Sequence, residues 1–337
     1  MSNGKRPGGG NASARGRAAR AEAAKIAADQ RAARESARRR RLLAGVTAGA
    51  LLVGGGVTYL TKTGGSPSGV TAASGKRLPP LEVEPGVQHV HGLGVDPADD
   101  TLYAATHSGL FRLPKTGTPV RVANRAQDTM GFSIVGPGKF IGSGHPDFRE
   151  DDVRPPLLGL IESTDRGESW LRLSLHGKAD FHALHAAHGL VYGYDSTSQT
   201  FMVSKDRKEW DRRAKLPMRD FAVSPTDPDT IFATSERGLV RSSNGGRTWQ
   251  EAKSAPVLAV LAWAQQDALY GVAPDGAVHQ SADGGASWTE RGNVGGEPEA
   301  FAIDARDGKE ALYVASNEGG IVSSADGGKS FTTIYKE

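Results

Sequence analysis

The sequence predicts an all-β fold, a six-bladed β-propeller, from three observations. A short turn motif recurs every forty residues or so, a first strand-like segment recurs six times beside it, and a second strand-like segment recurs six times as well; cysteine is absent, which excludes a disulfide framework and a thiolate zinc site. Self-similarity at this period is the mark of sheet units that cannot bury their faces alone and must stack around an axis.

The turn motif reads Ser-x-Asp/Asn-x-Gly-x-Ser/Thr-aromatic and occurs at Ser163 to Trp170, Ser242 to Trp249, Ser281 to Trp288 and Ser324 to Phe331. A shortened copy, Ser204 to Trp210, has lost its glycine. An Asp or Asn carboxamide or carboxylate can hold backbone N–H groups across such a turn, Gly accepts a positive φ, and the aromatic anchors the hairpin in the core. First strands begin at His91, Met130, His182, Arg219, Val257 and Glu299; second strands end at His107, His145, Asp195, Glu236, Pro274 and Asn317. Six copies mean six blades, the first without a recognisable turn motif. Ring closure is expected from residues near Leu81 to Val87 adding a strand to the last blade.

The repeat resembles the Asp-box, or BNR, repeat of sialidases and related propellers over residues 89 to 337. His-Gly-Leu at 91 to 93, Thr-His-Ser-Gly-Leu-Phe at 106 to 111, Gly-His-Pro at 144 to 146 and Asp-Phe-His-Ala-Leu at 180 to 184 are similar to exported bacterial propellers named glycosyl hydrolases or exo-α-sialidases. The resemblance implies that the turn motifs lie on the face away from any active site. It also invites a sialidase reading, which needs an Arg-Ile-Pro segment, three clamping arginines and a Tyr nucleophile with its Glu partner. The chain has no Arg-Ile-Pro, and its face arginines reduce to Arg219, Arg149 and Arg154. A different glycoside hydrolase would draw a carboxylate pair from Asp195, Glu236, Glu299 and the blade-two loop.

Ahead of the propeller, residues 1–41 hold twelve Lys or Arg against three acids, leaving 29 bases and 35 acids in the remainder. The basic charge therefore belongs to the tail, and no basic stripe with interleaved aromatics follows it, which argues against nucleic acid as a partner. Residues 42–60 are uncharged and mostly apolar and follow four arginines. That length and flank predict a single transmembrane anchor with the tail cytoplasmic and the propeller extracytoplasmic. Arg39 and Arg40 before Leu42 and Leu43 also loosely resemble a twin-arginine signal, with cleavage then expected near Val70 to Ala73 and a secreted product. The long leading segment favours a retained anchor. Residues 61–80 read as a flexible linker and 81–337 as the propeller of a monomer.

Aligning the repeats places side chains on faces. Four of nine histidines, His91, His107, His145 and His182, fall on equivalent ends of blades one to three, joined by Met130. Imidazole with a thioether suits copper, and imidazole with carboxylate suits zinc. Histidines at strand ends also cap loops, so the same positions fit a structural role. His89, if it lay on the strand, would point away from His91. The insertion His145 to Pro156, with Asp147, Glu150, Asp151 and Asp152, is expected to overhang the same face. Three functions follow: a propeller binding a metal ion or small ligand on the His-rich face, a glycoside hydrolase, and an interaction or assembly module.

Overall fold

A computed structural model describes residues 86–150, 156–318 and 320–336. These form six four-stranded antiparallel sheets, each built from one continuous stretch of chain in the order first to fourth strand. The predicted tail (1–41), transmembrane segment (42–60) and linker (61–80) lie outside the described residues. Among the described residues no helix is long and apolar enough to cross a membrane.

The first strands, Val90–Asp96, Asp128–Gly136, Phe181–Ala187, Met218–Val223, Val260–Gln265 and Pro298–Asp304, neighbour one another around the axis. Six core clusters explain why the ring closes, because each draws on two adjacent blades. Tyr103 and Phe132 belong to the interface of blades one and two, Tyr192 and Phe221 to that of three and four, and Leu102 and Ala315 to that of one and six. Every blade is thus covered on both faces. That is why the second strands, such as Thr101–Thr106 and Leu190–Asp195, read as almost unbroken apolar runs. The fourth strands, such as Leu171–Ser174 and Asp211–Lys215, lie at the rim and carry charge.

Of the segment expected to close the ring, residues 81–85 lie outside the described residues. The sixth sheet takes all four strands from Pro298 to Lys336, and no strand from the amino-terminal side joins it among the described residues. Val87 buries its side chain in the cluster between blades one and six, and its N–H faces the Tyr335 hydroxyl at 3.4 Å.

The turn motifs behave as their chemistry demands. In the first, Ser163 Oγ accepts the Gly167 N–H at 2.7 Å, while Asp165 accepts from the Ser169 backbone at 2.9 Å and from its hydroxyl. The glycine at the fifth position of each full motif packs on the preceding blade: a Cβ on Gly246, at φ +86°, would stand 2.3 Å from the Phe201 ring. The shortened copy lacks that glycine and holds Arg207 at φ 63°, as the first motif holds Arg166 at φ 62°. The motif tryptophans pack inward, Trp210 on Phe181 and Trp249 on Phe201, and Trp263 meets Phe232 in the core.

Candidate functional site

The first strands enclose a cavity of about 740 Å³ along the ring axis, lined at one mouth by His91, Met130, His182, Arg219 and Glu299. One backbone device aims these five side chains. Each sits where the register against the second strand slips: between Val90 and Gly92, Thr129 and Gly131, Phe181 and Ala183, Met218 and Phe221, and Pro298 and Ala300. A bulged residue has no partner across the ladder, and its side chain turns out of the alternating pattern. Bulges at the start of five first strands therefore present five side chains to one opening. Blade five has no such slip at that end, since Val260 pairs with Val272 and Leu261 with Gly271.

The register corrects two predicted positions. Val257 precedes its strand and is 65% exposed, and the residue matching His91 in blade five is Ala259. Asp195 ends its strand one place early, opposite the position of Thr106, so Ser196 is the counterpart of His107 and His145.

Two residues before the bulge position lie His89, Asp128, Asp180, Pro217, Val257 and Glu297. Asp128 and Asp180 carry the site. Asp128 Oδ1 lies 2.9 Å from His107 Nδ1 and 3.8 Å from His91 Nε2, and its Oδ2 lies 3.1 Å from His145 Nδ1. Asp180 Oδ2 lies 3.0 Å from His182 Nε2 and 3.6 Å from His145 Nε2, and the Ser196 hydroxyl reaches the same oxygen at 3.4 Å. All four predicted histidines thus meet, and two unpredicted aspartates join them into one chain of alternating imidazoles and carboxylates. Met130 lines the cavity below. His89 departs from the strand geometry: at φ 50° in the bend before Val90, its ring stands 5.6 Å from that of His107.

The electrostatics follow from burial and contact. Burial pushes His91 down to about 4, helped by the neighbouring His107, so the ring is neutral at neutral pH. Burial alone would raise Asp128, but the hydrogen bonds from His107 and His145 overcome it and hold this carboxyl well below the usual range. The hydrogen bond to Asp128 raises His145 against the opposing effect of burial, and Asp180 adds to the rise. Within this chain, one donor atom of His91, of His107 and of Asp128 all lie within 4.8 Å of one another. His91 Nε2 is buried without a hydrogen-bond partner among the described residues.

Each predicted catalytic carboxylate has its own local setting. Asp195 is fully buried, accepting from the Asp180 N–H at 3.0 Å and from the Thr197 and Ser198 hydroxyls. Those bonds hold its carboxyl below the usual range against the opposing effect of burial. Glu236 is exposed in the turn after Ile231–Ser235. Glu299 accepts the Val90 N–H at 2.9 Å and approaches His89 Nδ1 at 3.5 Å, pinning blade six to blade one. The blade-two insertion folds down at its start: Asp147, fully buried, is held by Arg149 and the Ala126 N–H, and Glu150 pairs with Arg125 at 3.2 Å. Asp151, Asp152 and Arg154 lie outside the described residues.

Fold and site together define a six-bladed β-propeller with a histidine and carboxylate cluster at one mouth of its axial cavity. Residues 190–306 match the DUF6242 beta propeller domain. A xyloglucanase of Hypocrea jecorina is 32% identical over 115 residues, which are 29% of this chain and 13% of that protein. The chain thus spans a small part of that relative's length. Among solved structures, a gluconolactonase of Xanthomonas campestris superposes with a TM-score of 0.53 at 14% identity, covering 74% of this chain and 92% of the other. The WD40 beta propeller domain of Doa1 gives 0.50 at 12% identity, covering 74% and 82%. At these identities the structural likeness shows the fold.

Proposed function

We propose that the chain is a metal-binding propeller of the Asp-box class, held outside the cytoplasmic membrane by residues 42–60, with an ion bound by His91, His107 and Asp128. One observation carries the reading. The half-buried, neutral His91 presents a buried, unpartnered Nε2 3.8 Å from the Asp128 oxygen on which His107 also converges. Two ligands each about 2.1 Å from one tetrahedral ion stand about 3.4 Å apart, so this spacing suits zinc with little rearrangement. Two imidazoles and a carboxylate leave a fourth position for water, and a structural role alone gives no reason to bury an unsatisfied imidazole nitrogen beside an acid. The turn motifs, with their serine and aspartate bonds, support the Asp-box assignment.

The test is zinc affinity of the stripped protein, read by competition with a chromophoric chelator. Asp128→Asn is expected to bind at least about tenfold more weakly, since loss of even an outer partner of a metal site costs that much. His279→Ala, remote from the cluster in sequence and position, serves as the unchanged control. Equal affinity in Asp128→Asn and the parent protein sets the reading aside.

A glycoside hydrolase is the second reading, favoured by the stretch similar to a xyloglucanase. With Asp195 locked in its turn, Glu299 and Glu236 remain as its carboxylates. Turnover of xyloglucan or aryl glycosides, lost in Glu299→Gln, would support it, and silence of the parent protein across that panel would remove it.

A further inference from the structure

We infer that His182, oriented by Asp180, is the general base of a hydrolytic site in this mouth, taking a proton from water as that water attacks a small uncharged carboxylic ester; this rests on the ion position of His91, His107 and Asp128. A carboxylate can only accept, so Asp180, 3.0 Å from His182 Nε2, fixes the ring hydrogen there and leaves a lone pair on Nδ1. That Nδ1 has no hydrogen-bond partner among the described residues, and the side chain is 37% exposed at a mouth it lines together with His91. Asp180 itself is only 4% exposed, and its N–H is held by the Asp195 carboxylate at 3.0 Å. Its Oδ1 is buried with no partner, while His145 Nε2 at 3.6 Å and the Ser196 hydroxyl at 3.4 Å share Oδ2 at longer range than His182. A buried carboxylate on one ring nitrogen, with the other nitrogen open to a cavity, holds an imidazole in the tautomer and orientation that accept a proton from a reacting group.

The bulge between Phe181 and Ala183 aims His182 at the mouth as the bulge between Val90 and Gly92 aims His91. The two rings stand within electrostatic reach of each other, since His182 is among the groups that lower His91. Water at the open position of the ion gives a proton to Nδ1 of His182 as its oxygen bonds to the carbonyl carbon of the ester. The C–O bond to the alcohol then breaks, and the proton on Nδ1 passes to the departing oxygen. One water and one ester become one acid and one alcohol. The surroundings select the substrate. Asp128, Asp180 and Glu299 stand about the mouth and disfavour an anionic phosphate ester, and Arg219 is already engaged by Glu297 at 3.3 Å and by the Pro298 carbonyl. A cavity of about 740 Å³ suits a small molecule.

The experiment follows hydrolysis of p-nitrophenyl acetate by the zinc-loaded full chain in detergent, beside zinc affinity by chelator competition. His182→Gln is expected to lower kcat at least about a hundredfold, the lower end of what a general base contributes, with zinc affinity unchanged. That unchanged affinity also shows the variant to be folded. Asp180→Asn is expected to lower kcat with KM unchanged. Long-range nitrogen–hydrogen NMR of histidine-labelled protein should place the ring hydrogen of His182 on Nε2 in the parent protein and show that preference lost in Asp180→Asn. No turnover by the zinc-loaded parent protein, turnover undiminished in His182→Gln, or a ring hydrogen on Nδ1 overturns the inference and leaves the ion position standing. A parent protein that binds no zinc removes the two together.

Discussion

The Nδ1 of His145 lies 3.1 Å from Oδ2 of Asp128, and this contact ties the acid of blade two to a ring that also faces Asp180. The bond favours the protonated ring and raises its pKa above the ordinary 6.5. A cation held by Asp128 repels the charged ring beside it, so proton and ion oppose each other. Zinc affinity is therefore expected to fall as pH drops through the raised pKa, from the alkaline side of 6.5. His145→Gln should flatten that dependence while lowering affinity by about tenfold to a hundredfold. Chelator competition at several pH values between 6 and 8.5 checks both.

Stability should depend on the turn glycines that touch a neighbouring blade. Gly246→Ala combines a left-handed φ of +86° with a Cβ 2.3 Å from Phe201, and the expected loss is about 2–4 kcal/mol. Gly189 has φ +71° with nothing within 4 Å of a Cβ, so Gly189→Ala should cost about 1 kcal/mol, the backbone part alone. Urea denaturation of the two variants separates packing from conformation.

Asp195 is a structural hub. Its carboxylate holds the Thr197 and Ser198 turn and the Asp180 N–H. Asp195→Ala leaves those buried donors unmatched, and an unfolding free energy lower by about 2–4 kcal/mol is expected in the same assay. A variant as stable as the parent protein would contradict this role.

His185 lines the cavity wall near Phe221, and burial pushes it down to about 4, with His188 contributing. Its unfolded pKa lies near 6.5. Between pH 6.5 and 4 the unfolded chain therefore binds the extra proton, and stability falls as pH is lowered through that window. His185→Phe should remove this part of the slope, seen as a weaker change in urea midpoint from pH 7 to 4.5.

Much of this architecture was legible in the sequence because the repeat is short and its chemistry is local. Ser163, Asp165 and Gly167 form their turn from residues within five positions, so the motif carries its own geometry. Alignment of six strand pairs also brought His91, His107, His145 and His182 to one mouth. The aspartates escape such an alignment because the recurring strand pattern begins at the bulge, whereas Asp128 and Asp180 stand two residues before it. The signal was present in the repeated spacing of Asp128 to Met130 and Asp180 to His182. Val257 and Asp195 were misplaced because a bulge or a shortened strand shifts register without changing composition. Glu299 also accepts the Val90 N–H of another blade, a contact 209 residues away in sequence that no local pattern shows.

The central claim is that His91, His107 and Asp128 hold one ion. Anomalous diffraction at the zinc absorption edge, from crystals grown with zinc, tests it most directly. A peak about 2.0–2.2 Å from a nitrogen of each histidine and an oxygen of Asp128 is the expected result. A map in which zinc sits only on surface groups, with these three side chains bonded to one another as before, would contradict it.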